Sequence, residues 1–179
     1  MDILRRSASL ITSEAWEELD GQAKKVLTAN LSARHFVDIV GPMGWTYGAH
    51  PTGRLAVAGK GPEDEVRFGV NKVLPLVEAR LGFELDVWEL DNINRGAKDP
   101  DLSNLERAAK KMALFEDGAV YSGLAEAGIE GLAAADANQP VKPAGDSAED
   151  IVAAVSSATF KLRENAVEGP YALSASPRL

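Results

Sequence analysis

Residues 85–96 read LDVWELDNINRG, and in the run that leads into them Phe83, Leu85 and Val87 alternate with Glu84, Asp86 and Trp88. Successive side chains of a strand point to opposite faces, so period-two alternation predicts a half-buried strand. Its apolar set would face a core, and its two acids would face outward. Trp88 falls on the acidic face, where a polar residue is the ordinary occupant. An indole in that place calls for a cover: a ligand, a loop or a neighbouring subunit.

Upstream, Trp16, Leu19, Ala23, Val26 and Leu27 recur at three- and four-residue steps, which predicts a helix over 13–31 capped by Thr12 or Ser13. The plain reading of Trp16 is a core contact. Pro42, Gly44, Gly48 and Pro51 then break the chain. Residues 54–57 and 65–68 read as two short strands around a tip of Gly59, Lys60, Gly61 and Pro62. An isolated two-stranded ribbon is barely stable in water, so it needs its own domain or a neighbour for support. Leu55, Val57, Val66 and Phe68 are read as apolar residues on one face of that hairpin, and as assembly contacts.

Downstream, 71–81 reads as a connector with helical character and 92–100 as a polar loop. A long helix follows, with Ser103 and Glu106 as a capping box and a stripe through Leu102, Leu105, Ala109, Met112, Phe115 or Ala119, and Val120. Lys110, Lys111, Glu116 and Asp117 fall largely off that stripe and read as a solvated or intersubunit face. Gly118, Gly123, Gly128 and Gly131 end the helix. GIEGL lacks the lysine and the strand-to-helix context of a phosphate loop. Residues 139–145 read as a second break. Ser147 with Asp150 caps a helix whose apolar face is Ile151, Val152, Val155 and Leu162, and YALSAS at 171–176 reads as a strand.

Hydrophobic residues make up 45% of the 179, enough for a real core. With 27 acids against 19 bases the net charge is −8. That argues against binding nucleic acid, since phosphate contacts need a basic face. The absence of cysteine rules out disulfides and thiolate metal sites and is compatible with a reducing cytoplasm. No run has the length of a membrane span or the apolar core of a signal peptide, so no membrane partner is expected. His35 and His50 lack a second ligand at helical spacing, so no metal site is expected. There is no nucleophile elbow, Walker sequence or dinucleotide fingerprint, so no catalytic residue is assigned and the chain is not read as an enzyme.

LDVWELDNINRG resembles the matching stretch of encapsulins, the bacterial nanocompartment shell proteins once described as linocin-type bacteriocins. Five further segments agree in the same order: ARHFVDIVGP at 33–42, GWTYGAHP at 44–51, LPLVEAR at 74–80, FEDGAVYSG at 115–123 with GIEGL at 128–132, and VEGPYAL at 167–173. Each is short, but together they span nearly the whole chain. The resemblance implies an α+β fold of the phage-capsid (HK97) type, with an N-terminal helix and P-domain start over 1–51 and an E-loop hairpin over 52–72. It further implies a P-domain with spine helix over 73–131 and an incomplete A-domain over 132–179.

The implied function is a subunit that assembles with copies of itself into an icosahedral shell in the bacterial cytoplasm. The shell would enclose a ferritin-like iron-oxidising protein or a peroxidase held by a short C-terminal targeting peptide. The resemblance places Arg34 and Asp38 at the inner-wall region that binds this peptide; on spacing alone they read as a local ion pair. It also places Trp88 and Arg80 where some encapsulins carry a flavin, although no cofactor is required. Encapsulins continue beyond the segment that matches VEGPYALSASPRL, so the chain reads as truncated. It is expected to fail at the normal shell or to assemble differently. The rival readings are a phage or prophage capsid protein, which shares the fold, and a free-standing bacteriocin or hydrolase.

Overall fold

The computed structural model describes residues 4–60, 66–135 and 140–175. It is a mixed α+β structure, and the chain divides into two compact units, Met1–Gly131 and Leu132–Leu179. The expected hairpin tip at 59–62, the start of the 139–145 break and the chain end at 177–179 lie wholly or partly outside the described residues.

In the first unit, helix α1 spans Ser13–Asn30, with Thr12 as its cap: the Thr12 hydroxyl accepts from the Ala15 backbone N–H at 3.2 Å. Its apolar face meets helix α3, Ser103–Ser122, and the short helix α2, Val87–Asn94. Leu19, Leu102 and Leu105 form the centre of the core, with Ile11, Trp16, Ala23, Leu85 and Leu90 packed around them. The guanidinium of Arg6 lies 4.6 Å from the Trp16 ring centroid and also forks onto the Asp20 carboxylate at 2.7 and 2.8 Å. Hydrogen bonding from Arg6 holds the Asp20 carboxyl below the usual carboxylate range.

Strand β1, Ala49–Lys60, pairs antiparallel with β2, Arg67–Pro75, in a two-stranded ribbon. Both strands are longer than the expected 54–57 and 65–68, and β2 takes in residues 71–75 of the expected connector. The register shifts between Pro51 and Arg54 and again between Val57 and Lys60. At the first shift Gly53 has φ 69°, a backbone that favours glycine, and the Thr52 hydroxyl donates to the Lys72 carbonyl at 2.7 Å.

The structure corrects the reading of 83–88 as a strand. Residues 76–86 form neither helix nor strand, and α2 begins at Val87. Asp86 is the reason: its side chain accepts from the Trp88 N–H at 2.9 Å, capping a helix where the alternation implied a continuing strand. Only Leu85 of the apolar trio reaches the core cluster; Phe83 is 45% and Val87 68% exposed. The Ser103–Glu106 capping box does not form either. Asp101 accepts from the Ser103 N–H at 3.0 Å, while Glu106 accepts from Gln22 of α1.

At the far end of α3, β3 (Gly123–Leu124) pairs with β4 (Ile129–Glu130). Two glycines of the singled-out cluster permit this pinch. A Cβ on Gly131 would lie 2.3 Å from the Gly123 nitrogen, and one on Gly123 would lie 2.7 Å from the Ile129 carbonyl.

The second unit holds the short helix α4, Leu132–Ala135, and α5, Ala148–Glu164. As the sequence predicts, Ser147 caps α5, accepting from the Asp150 N–H at 3.2 Å. The helix closes with Ala166 at φ 58°, and Val167 donates back to the Leu162 carbonyl at 2.9 Å. Of its expected apolar face, Val152 is 68% exposed, and no α5 residue is buried. Residues 171–175 form no strand.

Candidate assembly and cargo surfaces

The ribbon is largely exposed. Every residue of β2 is exposed, and the two strands pack chiefly on each other. Leu55 is 57% exposed, Val57 77%, Val66 67% and Phe68 47%. Leu55 stands opposite Asn71, and Val57 opposite Gly69. Directly paired residues of antiparallel strands share a face. Leu55 and Val57 therefore lie on one face with Val73, while Phe68 lies on the other with Val70 and Leu74. The expectation that the four assembly residues share one face is corrected: the alternation along β2 divides them. Gly69 leaves room on the first face, and a Cβ there would meet the Leu55 Cβ at 3.4 Å. Val66 lies just outside β2. The ribbon thus presents apolar side chains on both faces.

The region of Arg34 and Asp38 is arranged differently from the local pair expected. Arg34 sits in a 3-10 turn, Ala33–His35, immediately after α1. Its guanidinium forks onto Glu116 of α3, Nε to Oε1 at 2.5 Å and Nη2 to Oε2 at 2.8 Å. Hydrogen bonding to Glu116 raises the already high Arg34 pKa. Asp38 is exposed beyond the turn. The partner of Arg34 is 82 positions away, so no local spacing could have named it.

Beside that fork lies a residue the sequence reading set off the stripe. Asp117 is 7% exposed, a buried carboxylate on α3. Its Oδ2 accepts from the Ser32 N–H at 2.9 Å and the Ser32 hydroxyl at 2.6 Å, and its Oδ1 accepts from the Ala33 N–H at 3.2 Å. The Ser32 hydroxyl also lies 2.9 Å from the Tyr121 hydroxyl, and the Phe36 and Tyr121 ring centroids are 6.1 Å apart. Burial pushes the Asp117 carboxyl up. The Ser32 hydroxyl, the Ser32 and Ala33 N–H groups and the His35 charge outweigh it, so its pKa lies below the ordinary value.

The expected single stripe of α3 is in fact two. Leu105, Ala109, Ala113 and Asp117, spaced by four, are the buried line. Met112, Phe115 and Val120 line an open groove of about 270 Å³ with Val77, Leu124 and Ile129. The spacing of four is present in the sequence, but its last member is an acid, which an apolar stripe does not include.

Trp88 stands on the first turn of α2, 71% exposed. Arg80 lies in the irregular 76–86 segment, and its guanidinium is paired with Glu78. The tryptophan is thus exposed as expected, but on a helix, and the arginine already has a carboxylate partner. His50 Nδ1 lies 2.9 Å from the Tyr47 hydroxyl. Among the described residues no cluster of three or more His, Asp or Glu side chains could hold a metal ion, and no helix is long and apolar enough to cross a membrane.

Comparison with known proteins agrees with the resemblance. The family Linocin_M18, described as encapsulating protein for peroxidase, matches residues 1–179. A type 1 encapsulin shell protein of Mycolicibacterium paratuberculosis is 35% identical over 97% of the chain and 64% of its own length. One from Rhodospirillum rubrum is 36% identical over 97% of the chain and 63% of its own length. A diheme-cytochrome-encapsulin shell fusion protein of Kuenenia stuttgartiensis is 26% identical over 94% of the chain and 49% of its own length. The chain therefore spans somewhat less than two thirds of the relatives it matches. With a family match along its whole length, the chain belongs to the encapsulin family.

Proposed function

We propose that the chain is a structural subunit of a self-assembling nanocompartment shell in the bacterial cytoplasm, with a structural and not a catalytic role. The observation that carries the reading is the β1–β2 ribbon, a long strand pair with apolar residues on both faces and little support from other elements. Such a ribbon gains stability when a second copy covers it. In the family's terms, residues 1–51 are the N-terminal helix and the start of the P-domain of an HK97-type fold, 52–72 the E-loop, 73–131 the P-domain with its spine helix, and 132–179 part of the A-domain. Leu55, Val57, Val66 and Phe68 are then contacts between copies, with the two faces of the ribbon touching different surfaces.

The cargo is a ferritin-like protein or a peroxidase, and a compartment holding the former would serve iron storage. Its C-terminal targeting peptide docks at the face around Arg34 and Asp38. This is supported by the exposure of Asp38 and by the fixed position of Arg34 across Glu116. A flavin at Trp88 and Arg80, as the resemblance implies, is a subsidiary proposal supported by the exposed indole, which offers a ring for stacking.

The test is the size of the purified chain by light scattering and negative-stain imaging, beside Leu55→Asp/Phe68→Asp. The reading predicts species many times the 19.0 kDa chain, lost in the double variant. A chain that stays monomeric at every concentration overturns it.

A further inference from the structure

We infer that Asp117 is the positioning residue of the Arg34 face, a buried latch that fixes the turn after α1 on the spine of α3. Among the described residues it is the buried charged side chain. Three donors converge on it from Ser32 and Ala33, and these include two backbone N–H groups at the start of the 3-10 turn. A turn that begins there has orphan N–H groups, and a buried carboxylate satisfies them more strongly than water or a neutral oxygen would. With those two residues pinned, Arg34 is delivered to Glu116 and Phe36 to Tyr121, both within four or fewer positions of Asp117 along α3.

The surface ion pair follows from the latch and does not replace it. Arg34 and Glu116 are both more than one-third exposed, so their fork alone holds the turn weakly. The latch is buried and charge-assisted, so it governs where the fork forms. Beyond the turn the chain carries Asp38 and the exposed Ile39 and Val40. Asp117 therefore sets the start of the turn from which Arg34 and Phe36 project, while lying beneath it. For what that face does, the inference rests on the cargo-docking reading given above; for the latch itself it does not.

Trypsin cleavage measures the latch locally, because Arg34 is a cleavage site inside the pinned turn and Lys25 is one within α1. Asp117→Asn keeps the size of the side chain but replaces one acceptor oxygen by a donor that faces N–H groups. We expect it to raise cleavage after Arg34, relative to cleavage after Lys25, by roughly ten- to a hundredfold. Ser32→Ala, which keeps both backbone donors, should give a smaller rise of the same kind. A general loss of stability would raise both cleavages together and leave the ratio unchanged.

An unchanged ratio in both variants overturns the latch. Should Asp117→Asn prove unfolded, Ser32→Ala alone decides. Particle size of the unmutated chain is measured in the same preparation. Failure to associate would remove the shell reading and leave the latch standing if the cleavage ratio moves.

Discussion

The helical centre of the first unit and its β-ribbon have similar shares of apolar sequence but opposite fates. In the centre, Leu19, Leu102 and Leu105 are each 6% exposed or less, and polar groups at the edge are paired inside the chain. On the ribbon, Leu55, Val57, Val70 and Leu74 are each more than half exposed, although the two strands pair along the ribbon with only two register shifts. The difference teaches where each region gets its stability. The centre is satisfied by its own chain, whereas the ribbon has little cover from its own chain, and the proposed shell role gives that cover to a second copy. For the proposed shell subunit that division is useful, because a self-contained helical centre leaves the ribbon available to a neighbour.

The comparison breaks most readily at the core. Leu105→Ala should lower the stability of the unassociated chain by about 2–5 kcal/mol, read from urea denaturation. A loss under about 0.5 kcal/mol would mean that the centre is no core. Next comes Asp117→Asn, expected to cost about 1–3 kcal/mol in the same measurement.

The latch also has a signature in pH. The folded Asp117 carboxyl titrates below its ordinary value, so its stabilisation is complete above an unfolded pKa of about 3.9. It is lost as pH falls through the lower folded value. Unfolding between pH 5 and pH 2 should therefore be less steep in Asp117→Asn than in the unmutated chain. Equal slopes would show that the carboxylate is not held in its charged form.

A smaller effect belongs to the Arg34–Glu116 fork. A double-mutant cycle with Arg34→Ala and Glu116→Ala should give a coupling of about 0.2–1 kcal/mol, reduced by salt. Smallest of all, Val57→Ala should change the stability of the unassociated chain by less than about 0.5 kcal/mol while raising the concentration needed for association. If Val57→Ala cost as much as Leu105→Ala in the unassociated chain, the ribbon would be packed on its own unit and the contrast would fail.

Much of this was legible in the sequence, and the failures have specific causes. Helices α1, α3 and α5 follow from their apolar spacing, and the caps Thr12 and Ser147 are where the pattern puts them. The ribbon follows from its turn residues, though its length and the division of its apolar residues between faces do not. Those depend on pairing register, which hydrophobicity alone does not set.

The misread stretch is 83–88. Three alternations are too few to outweigh an Asp86 followed three residues later by Glu89, the signature of a helix start. Asp117 and the Arg34 partner escaped for a different reason. Both depend on contacts between positions 32–34 and 116–117, and long-range pairs leave no local spacing to read. The family resemblance was carried by short segments spread over the chain, and that breadth is what the family match along its whole length reflects.

The central claim is that a second copy covers the ribbon, and hydrogen exchange of the ribbon amides tests it most directly. Exchange at residues 54–57 and 68–73 is compared between associated and dissociated protein, with the α1 amides as an internal reference. The account predicts that ribbon exchange slows markedly on association while α1 changes little. Ribbon amides that exchange equally fast in both states would contradict it, since no neighbour would then be covering them.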